Sequence, residues 1–384
     1  MATILDYLDW RGDLTFAQSP FNEVDNYILC KLGCPDFTGI IPADGTLSIG
    51  EAVSRFDASL ADAGDGDFLG PLASPVMMNV IRRLPRTARF GSLTVADFIS
   101  KIDPVAEEQF SALTILLPDG TRFVTYRGTG DTIISWKEDF LLSVEDVVPA
   151  QKDAAAYLLK EASYGDGPLM LGGHSKGGNL AVYAALKAPE AIQARITGVY
   201  NNDGPGFRRD PRGTPEYARI KPVLHTLVSQ HTVIGKLLYH EEDCTIVKCW
   251  PTGIAAHDGF NWEVLGTQFV RSPDYSFDSK AFEVALSETL ESMNDVERRD
   301  FVEDFFSIMT STGATTLSDF NEHRFRQALE LGGEMRRSDT VRKFLQTTLN
   351  IILQETIAGA KAAIPHPRLP FLSELREERG GKDE

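Results

Sequence analysis

The stretch LMLGGHSKGGNLAVYAALKAP, residues 169–189, constrains this chain more than any other. It opens with an apolar run, turns through glycines around Ser175 and continues with helical spacing. Gly173-His174-Ser175-Lys176-Gly177 fits the pattern Gly-x-Ser-x-Gly between a buried strand and a helix, which is what a nucleophile elbow requires. At such a corner the serine is forced into a strained backbone conformation at the top of a sheet. Strand and helix crowd each other there, so side chains at the flanking positions would collide. The helix begins at the serine, and its first amides and positive dipole end therefore lie beside the hydroxyl. Ser175 is the candidate nucleophile, and the Lys176 N–H is the first candidate oxyanion donor. A phosphate loop fits poorly, because it needs Gly-x-x-x-x-Gly-Lys-Ser/Thr and here the lysine follows the serine and precedes the glycine. A Ser175–Lys176 dyad also fails, since successive side chains do not converge on one proton in this geometry.

The surrounding pattern supplies the sheet that an elbow needs. Residues 1–104 read as mainly helical, with Ser48 and Glu51 forming a capping box ahead of Val53, Phe56 and Leu60, and a second short helix over 76–84. Two strands, 113–117 and 122–126, are joined by Pro118-Asp119-Gly120. A helix over 151–162 places Ala155, Leu158 and Leu159 on one face; a strand over 169–171 and a helix over 178–186, ended by Pro189, follow. Apolar runs at 196–200, 223–228 and 245–249 complete the alternation. Strands separated by helix-length segments imply an α/β fold with a mostly parallel sheet covered on both faces. Beyond residue 275 the spacing is helical, through Phe282, Leu286, Leu290 and Met293, then Val302, Phe305, Phe306 and Met309, then Phe325, Ala328 and Leu329. The expected organisation is a helical N-terminal part over 1–104, an α/β core over 105–275, a helical subdomain or lid over 276–365 and a charged tail over 366–384.

Composition removes several classes of partner. A formal charge of −17 leaves no basic excess for phosphates, which argues against nucleic acid and anionic lipid headgroups. No segment reaches the ~18 uncharged apolar residues that a membrane span needs, and 348–364 is interrupted by Gln354, Glu355 and Lys361. The first residues lack the basic start and unbroken apolar stretch of an export signal, so a cytoplasmic protein without stable membrane insertion is expected. Four cysteines are too few for a disulfide scaffold and lack zinc-ribbon spacing. They read as reduced thiols, with a metal site using His240 or His257 as the alternative.

A second oxyanion donor must come from elsewhere. Tyr126-Arg127-Gly128-Thr129 leaves the second strand of the hairpin, with Trp136 and Asp139 downstream. With the elbow, these residues resemble the class 3 lipases, which include the fungal triacylglycerol lipases, over roughly residues 110–260. The stretches YRGTGDTIISWKEDF, GHSKGGNLA, NDGPGF and HDGFNW are also similar to an uncharacterised bacterial family of lipase-like α/β hydrolases. The resemblance implies an α/β-hydrolase fold with Thr129 as the second amide donor. An Arg127–Asp139 pair inside the fold is compatible with it.

A serine hydroxyl needs a base, and histidine has the suitable pKa. His257 follows the last core strand after a turn and is the candidate; His231 and His240 precede that strand and read as loop or surface residues. Asp203, in Asn-Asn-Asp-Gly-Pro-Gly, closes the strand after the elbow helix and gives the chain order Ser, Asp, His. Here the chain departs from the fungal lipases, whose acid follows the next strand, and looks like the pancreatic-lipase arrangement. A purely turn-forming Asp203 is the alternative, with Asp243 and Asp258 in reserve. Together these residues point to acyl transfer on a small-molecule carboxylic ester or lipid, by an esterase, lipase or lysophospholipase needing no metal or organic cofactor. The rival from another class is a non-catalytic scaffold that keeps the elbow as a binding or sensor protein.

Overall fold

The computed structural model describes residues 1–316, apart from 44, 64–74, 240–242, 278 and 281–292, together with residue 327. In chain order the elements are α1 (Ile4–Arg11), α2 (Glu23–Leu32), β1 (Thr46–Ser48), α3 (Ile49–Ala63), α4 (Pro75–Arg83), β2 (Thr94–Asp103), β3 (Glu108–Leu116), β4 (Arg122–Tyr126), α5 (Ile133–Leu141) and α6 (Pro149–Ser163). There follow β5 (Leu169–His174), α7 (Lys176–Lys187), α8 (Glu190–Gln193), β6 (Ile196–Asn202), α9 (Pro215–Ile220), β7 (Leu224–Ser229), β8 (Thr245–Val247), the short pair β9 (Val264–Leu265) and β10 (Gln268–Phe269), and α10 (Asp295–Ser311). Strands β1 to β8 form one sheet in sequential order. Pairings from β1 to β4 are antiparallel, and those from β4 to β8 are parallel.

Alternation along the central strands sorts the core into two faces. On β3, Leu113 and Ile115 join Val24, Tyr27 and Ile28 of α2, whereas Ala112 joins the opposite cluster with Ala154, Leu158, Leu180, Ala181 and Ala184. On β4, Phe123 faces α2, while Val124 and Tyr126 face α6 and α7. Small residues on α7 let that helix lie close to β5 and β6, and each large apolar side chain so buried contributes about 1.5–3 kcal/mol. Helix α2 starts at Asn22, whose Oδ1 accepts from the amides of Val24 and Asp25, and Asp25 returns a bond to the Asn22 amide.

Three expectations change. Residues 1–104 are not simply helical, since β1 and β2 extend the sheet; β2 hides its period because a bulge between Ala96 and Ile99 puts Asp97 at φ 53° and breaks the alternation. On α6 the buried face is Ala154, Tyr157, Leu158 and Glu161, and Leu159 is exposed. Tyr157, which bonds Thr114 and the Asp97 carbonyl, and Glu161, which pairs with Arg122, select that face. The last parallel strand stops at Val247, short of Cys249. Among the described residues no ion pair joins Arg127 to Asp139, whose contacts are with Thr129 and Lys176. All four cysteines are free thiols.

Of the C-terminal helical pattern, α10 buries Val302, Phe305, Phe306 and Met309 against α5, with the Phe140 ring 5.6 Å from Phe305 and 5.3 Å from Phe306. The Ile133 amide donates to Thr315 O at 3.0 Å and fastens this segment next to the start of α5. Phe282, Leu286, Leu290, Phe325, Ala328, Leu329 and the tail 366–384 lie outside the described residues. No helix among the described residues is long and apolar enough to cross a membrane.

Candidate active site

Ser175 joins β5 to α7 with φ 59° and ψ −134°, a conformation that is costly for a residue bearing a Cβ. Its amide donates to Asn202 O at 3.0 Å, and its carbonyl accepts from the Gly178 amide at 2.8 Å, so both sides of the corner are tied. The flanking glycines answer to close approach. A Cβ on Gly177 would stand 2.1 Å from Tyr126 O, and one on Gly173 would stand 2.1 Å from the Gly177 carbonyl carbon. The corner exists only because those two side chains are absent. Ser175 itself remains partly accessible, and the Lys176 N–H, first in its helix, has no intrahelical acceptor.

Asp203 and His257 meet. His257 Nδ1 lies 2.6 Å from Asp203 Oδ2, with both residues buried. Asp203 sits at φ 54° at the end of β6, donates its amide to Leu227 O at 2.7 Å, and accepts at Oδ1 from the Ser229 amide at 3.2 Å. A carboxylate only accepts, so the shared proton sits on Nδ1 and Nε2 is left bare to take another. His257 ends a 3-10 turn over Gly253–His257, and its ring centroid is 4.4 Å from that of His174, the neighbour of Ser175. No hydrogen bond among the described residues joins Ser175 Oγ to His257. Such bonds often tighten only when substrate is bound.

The other candidates lie elsewhere. Asp243 pairs with Lys221 at 3.0 Å on the surface. Asp258 accepts from Tyr27 Oη at 3.1 Å instead of reaching the imidazole. His231 stands in the loop after β7, 3.0 Å from the Gln230 amide nitrogen. His240 is outside the described residues.

The loop leaving β4 passes directly against the corner, since a Cβ on Gly128 would stand 2.6 Å from His174 O and 3.2 Å from Ser175 Cβ. Thr129 is next in that loop, and its hydroxyl donates to Asp139 Oδ2. Asp139 thus takes Thr129, although an Arg127 partner was equally compatible with the sequence. Burial pushes the Asp139 carboxyl up to about 6, against the opposing pull of Lys176 and the Thr129 hydroxyl.

Beneath the corner is a feature that sequence reasoning missed. Lys176 turns its side chain into the core, where Nζ donates to Glu138 Oε2 at 2.7 Å and to Gln109 O at 3.0 Å. Glu138 also accepts from the amides of Gln109 and Ala150. A glutamate on an amphipathic helix next to an aspartate reads as part of a solvated face, and nothing local in the chain marks it as buried.

A family model described as Mbeg1-like matches residues 84–307. The chain belongs to the Mbeg1-like family. The matched segment holds Thr129, Ser175, Lys176, Asp203 and His257, and it begins just after α4. No curated protein and no solved structure matches the chain.

Proposed function

We propose that this chain is a serine hydrolase of carboxylic esters, with Ser175 as nucleophile, His257 as base, Asp203 as its orienting acid, and the amides of Lys176 and Thr129 as the oxyanion hole. The observation that carries this reading is the 2.6 Å His257–Asp203 contact, packed against the residue next to a serine held at φ 59°. Ser175 Oγ attacks the ester carbonyl carbon while its proton passes to His257 Nε2. The tetrahedral oxyanion collapses, the C–O bond to the alcohol breaks, and the alcohol leaves with that proton. Water then attacks the acyl-enzyme, giving its proton to His257, and the acid departs as Ser175 recovers its hydrogen. The lipase-like motifs support an acyl chain as substrate, and α10, whose apolar face packs on α5 just after the Thr129 loop, supports a lid role for the C-terminal helices. The same motifs support an α/β-hydrolase topology.

A second reading, a non-catalytic binding or sensor scaffold, is favoured by the missing Ser175–His257 hydrogen bond. A fluorophosphonate probe separates the two. Covalent labelling of the folded chain that is lost in Ser175→Ala, and lowered by about 10³-fold or more in His257→Ala, supports the hydrolase. A folded wild type that does not label supports the scaffold. Hydrolysis of p-nitrophenyl esters of increasing chain length then sets the acyl preference.

A further inference from the structure

Helix α2 lies outside the segment that defines the family, yet three of its side chains touch the site. Asn26 Nδ2 donates to Asn202 Oδ1 at 2.9 Å, and Asn202 Nδ2 donates to Gly173 O at 2.9 Å, which clamps the strand entering the corner. Tyr27 Oη accepts from the Gly259 amide at 2.7 Å and donates to Asp258, gripping the loop that carries His257. Lys31, only 8% exposed, lies against the Tyr27 and Phe260 rings with Nζ 3.1 Å from His174 Nδ1 and 3.9 Å from Asp258 Oδ1.

The chemistry of those donors leaves His174 one arrangement. An ammonium group donates and cannot accept, so His174 Nδ1 must be bare. The other ring nitrogen, Nε2, lies 2.7 Å from the His257 carbonyl oxygen, which accepts and cannot donate, so Nε2 must carry the hydrogen. Both neighbours demand the same neutral tautomer. We infer that Lys31 and His174 are positioning residues for the candidate base: Lys31 sets the His174 tautomer, and His174 Nε2–H holds the backbone of His257 so that its ring faces Asp203 and the corner. This rests on the hydrolase reading for its consequence, although not for its geometry.

The groups facing His174 are Lys31 and Tyr27 from α2, His257 and Asp258 from the loop after β8, and Ser175 beside it. Burial, then the charge of Lys31, then His257 hold the His174 imidazole well below the ordinary histidine range, so it stays neutral while His257 cycles its proton.

The test compares variants that break the chain of donors with variants that keep it. Lys31→Met and His174→Leu break it; Lys31→Arg retains a donor, and His174→Gln offers an acceptor to Lys31 and a donor to the carbonyl. Two readouts are taken on the full chain: the far-downfield proton shared by His257 and Asp203, with the 15N shifts of His174, and the rate of fluorophosphonate labelling. Loss or broadening of the shared proton and ~10–100-fold slower labelling in the breaking pair, with both restored in the conservative pair, is the expected result. An unchanged shared proton in folded Lys31→Met and His174→Leu, or a His174 carrying its hydrogen on Nδ1 in the wild type, overturns the inference. Wild-type protein that fails to label removes the hydrolase reading alone, and the resonances still decide the positioning claim.

Discussion

Among the described residues, two ion pairs have both side chains fully buried, and they lie on opposite faces of the sheet. Arg89–Asp25 belongs to the α2 face. Its guanidinium also donates to the carbonyls of Leu14, Ser19 and Pro20, and Asp25 accepts from Tyr7 Oη at 2.7 Å. Every one of those partners is structural: the pair closes the segment between α1 and α2. Lys176–Glu138 lies on the α6 and α7 side, and its lysine is the residue after Ser175. The same kind of interaction, desolvated to the same degree, staples a loop in one place and anchors the backbone of the Ser175 corner in the other. Burial of charge is therefore no guide to function by itself; what the charge is attached to decides.

That contrast can be broken at its strongest point first. Removing one member leaves an uncompensated buried charge, so Arg89→Met and Lys176→Met should each cost about 3–5 kcal/mol in urea unfolding. Labelling of Ser175 per folded molecule should fall only in Lys176→Met, because only that lysine carries an amide proposed for the oxyanion hole. Equal loss in Arg89→Met would mean that the two buried pairs do not differ in role.

Burial moves an acid on one side and a histidine on the other in opposite directions. Asp139, beside Lys176, has its folded pKa raised to about 6 by burial, so the folded chain holds its proton more tightly than the unfolded chain does. Its contribution is full below the ordinary carboxylate value and is lost as pH rises from about 4 through about 6. Asp139→Asn should remove that decline, which is worth up to ~3 kcal/mol, and urea midpoints from about pH 4 to about pH 7.5 would register it. A slope unchanged by the substitution would clear Asp139 of the effect. His174, on the α2 side, is shifted downward, so the unfolded chain takes up the proton first. Stability should fall by ~1.4 kcal/mol per pH unit as pH drops below the ordinary histidine value, and His174→Gln should flatten that limb. An acid limb as steep in the variant as in the wild type would assign it to other groups.

How much of this was legible depended on range. The corner could be read locally because Gly173 and Gly177 answer to overlaps of a few ångströms within one strand–turn–helix unit. The pairing of Asp203 with His257, 54 positions apart, followed from the Ser, Asp, His chain order of the families that the motifs resemble, and the structure brings the two together across β7. Strand β2 escaped because one bulge at Asp97 reverses its alternation. Glu138 and Lys31 escaped for a different reason: a charged residue at helical spacing looks solvated until the element that covers it is known.

The residues alone determined where the backbone must bend sharply, which segments alternate as strand and helix, and which side chains have the chemistry for acyl transfer. Only the folded chain decided that Lys176 points inward to Glu138, that Asp139 accepts from Thr129, and that a helix from the first 32 residues reaches the candidate base through His174. Steric rules act over a handful of neighbouring residues and are written in their identities. The partner of a buried charge is set by which distant segments the packing of two sheet faces brings within about 3 Å, and no local pattern records that distance.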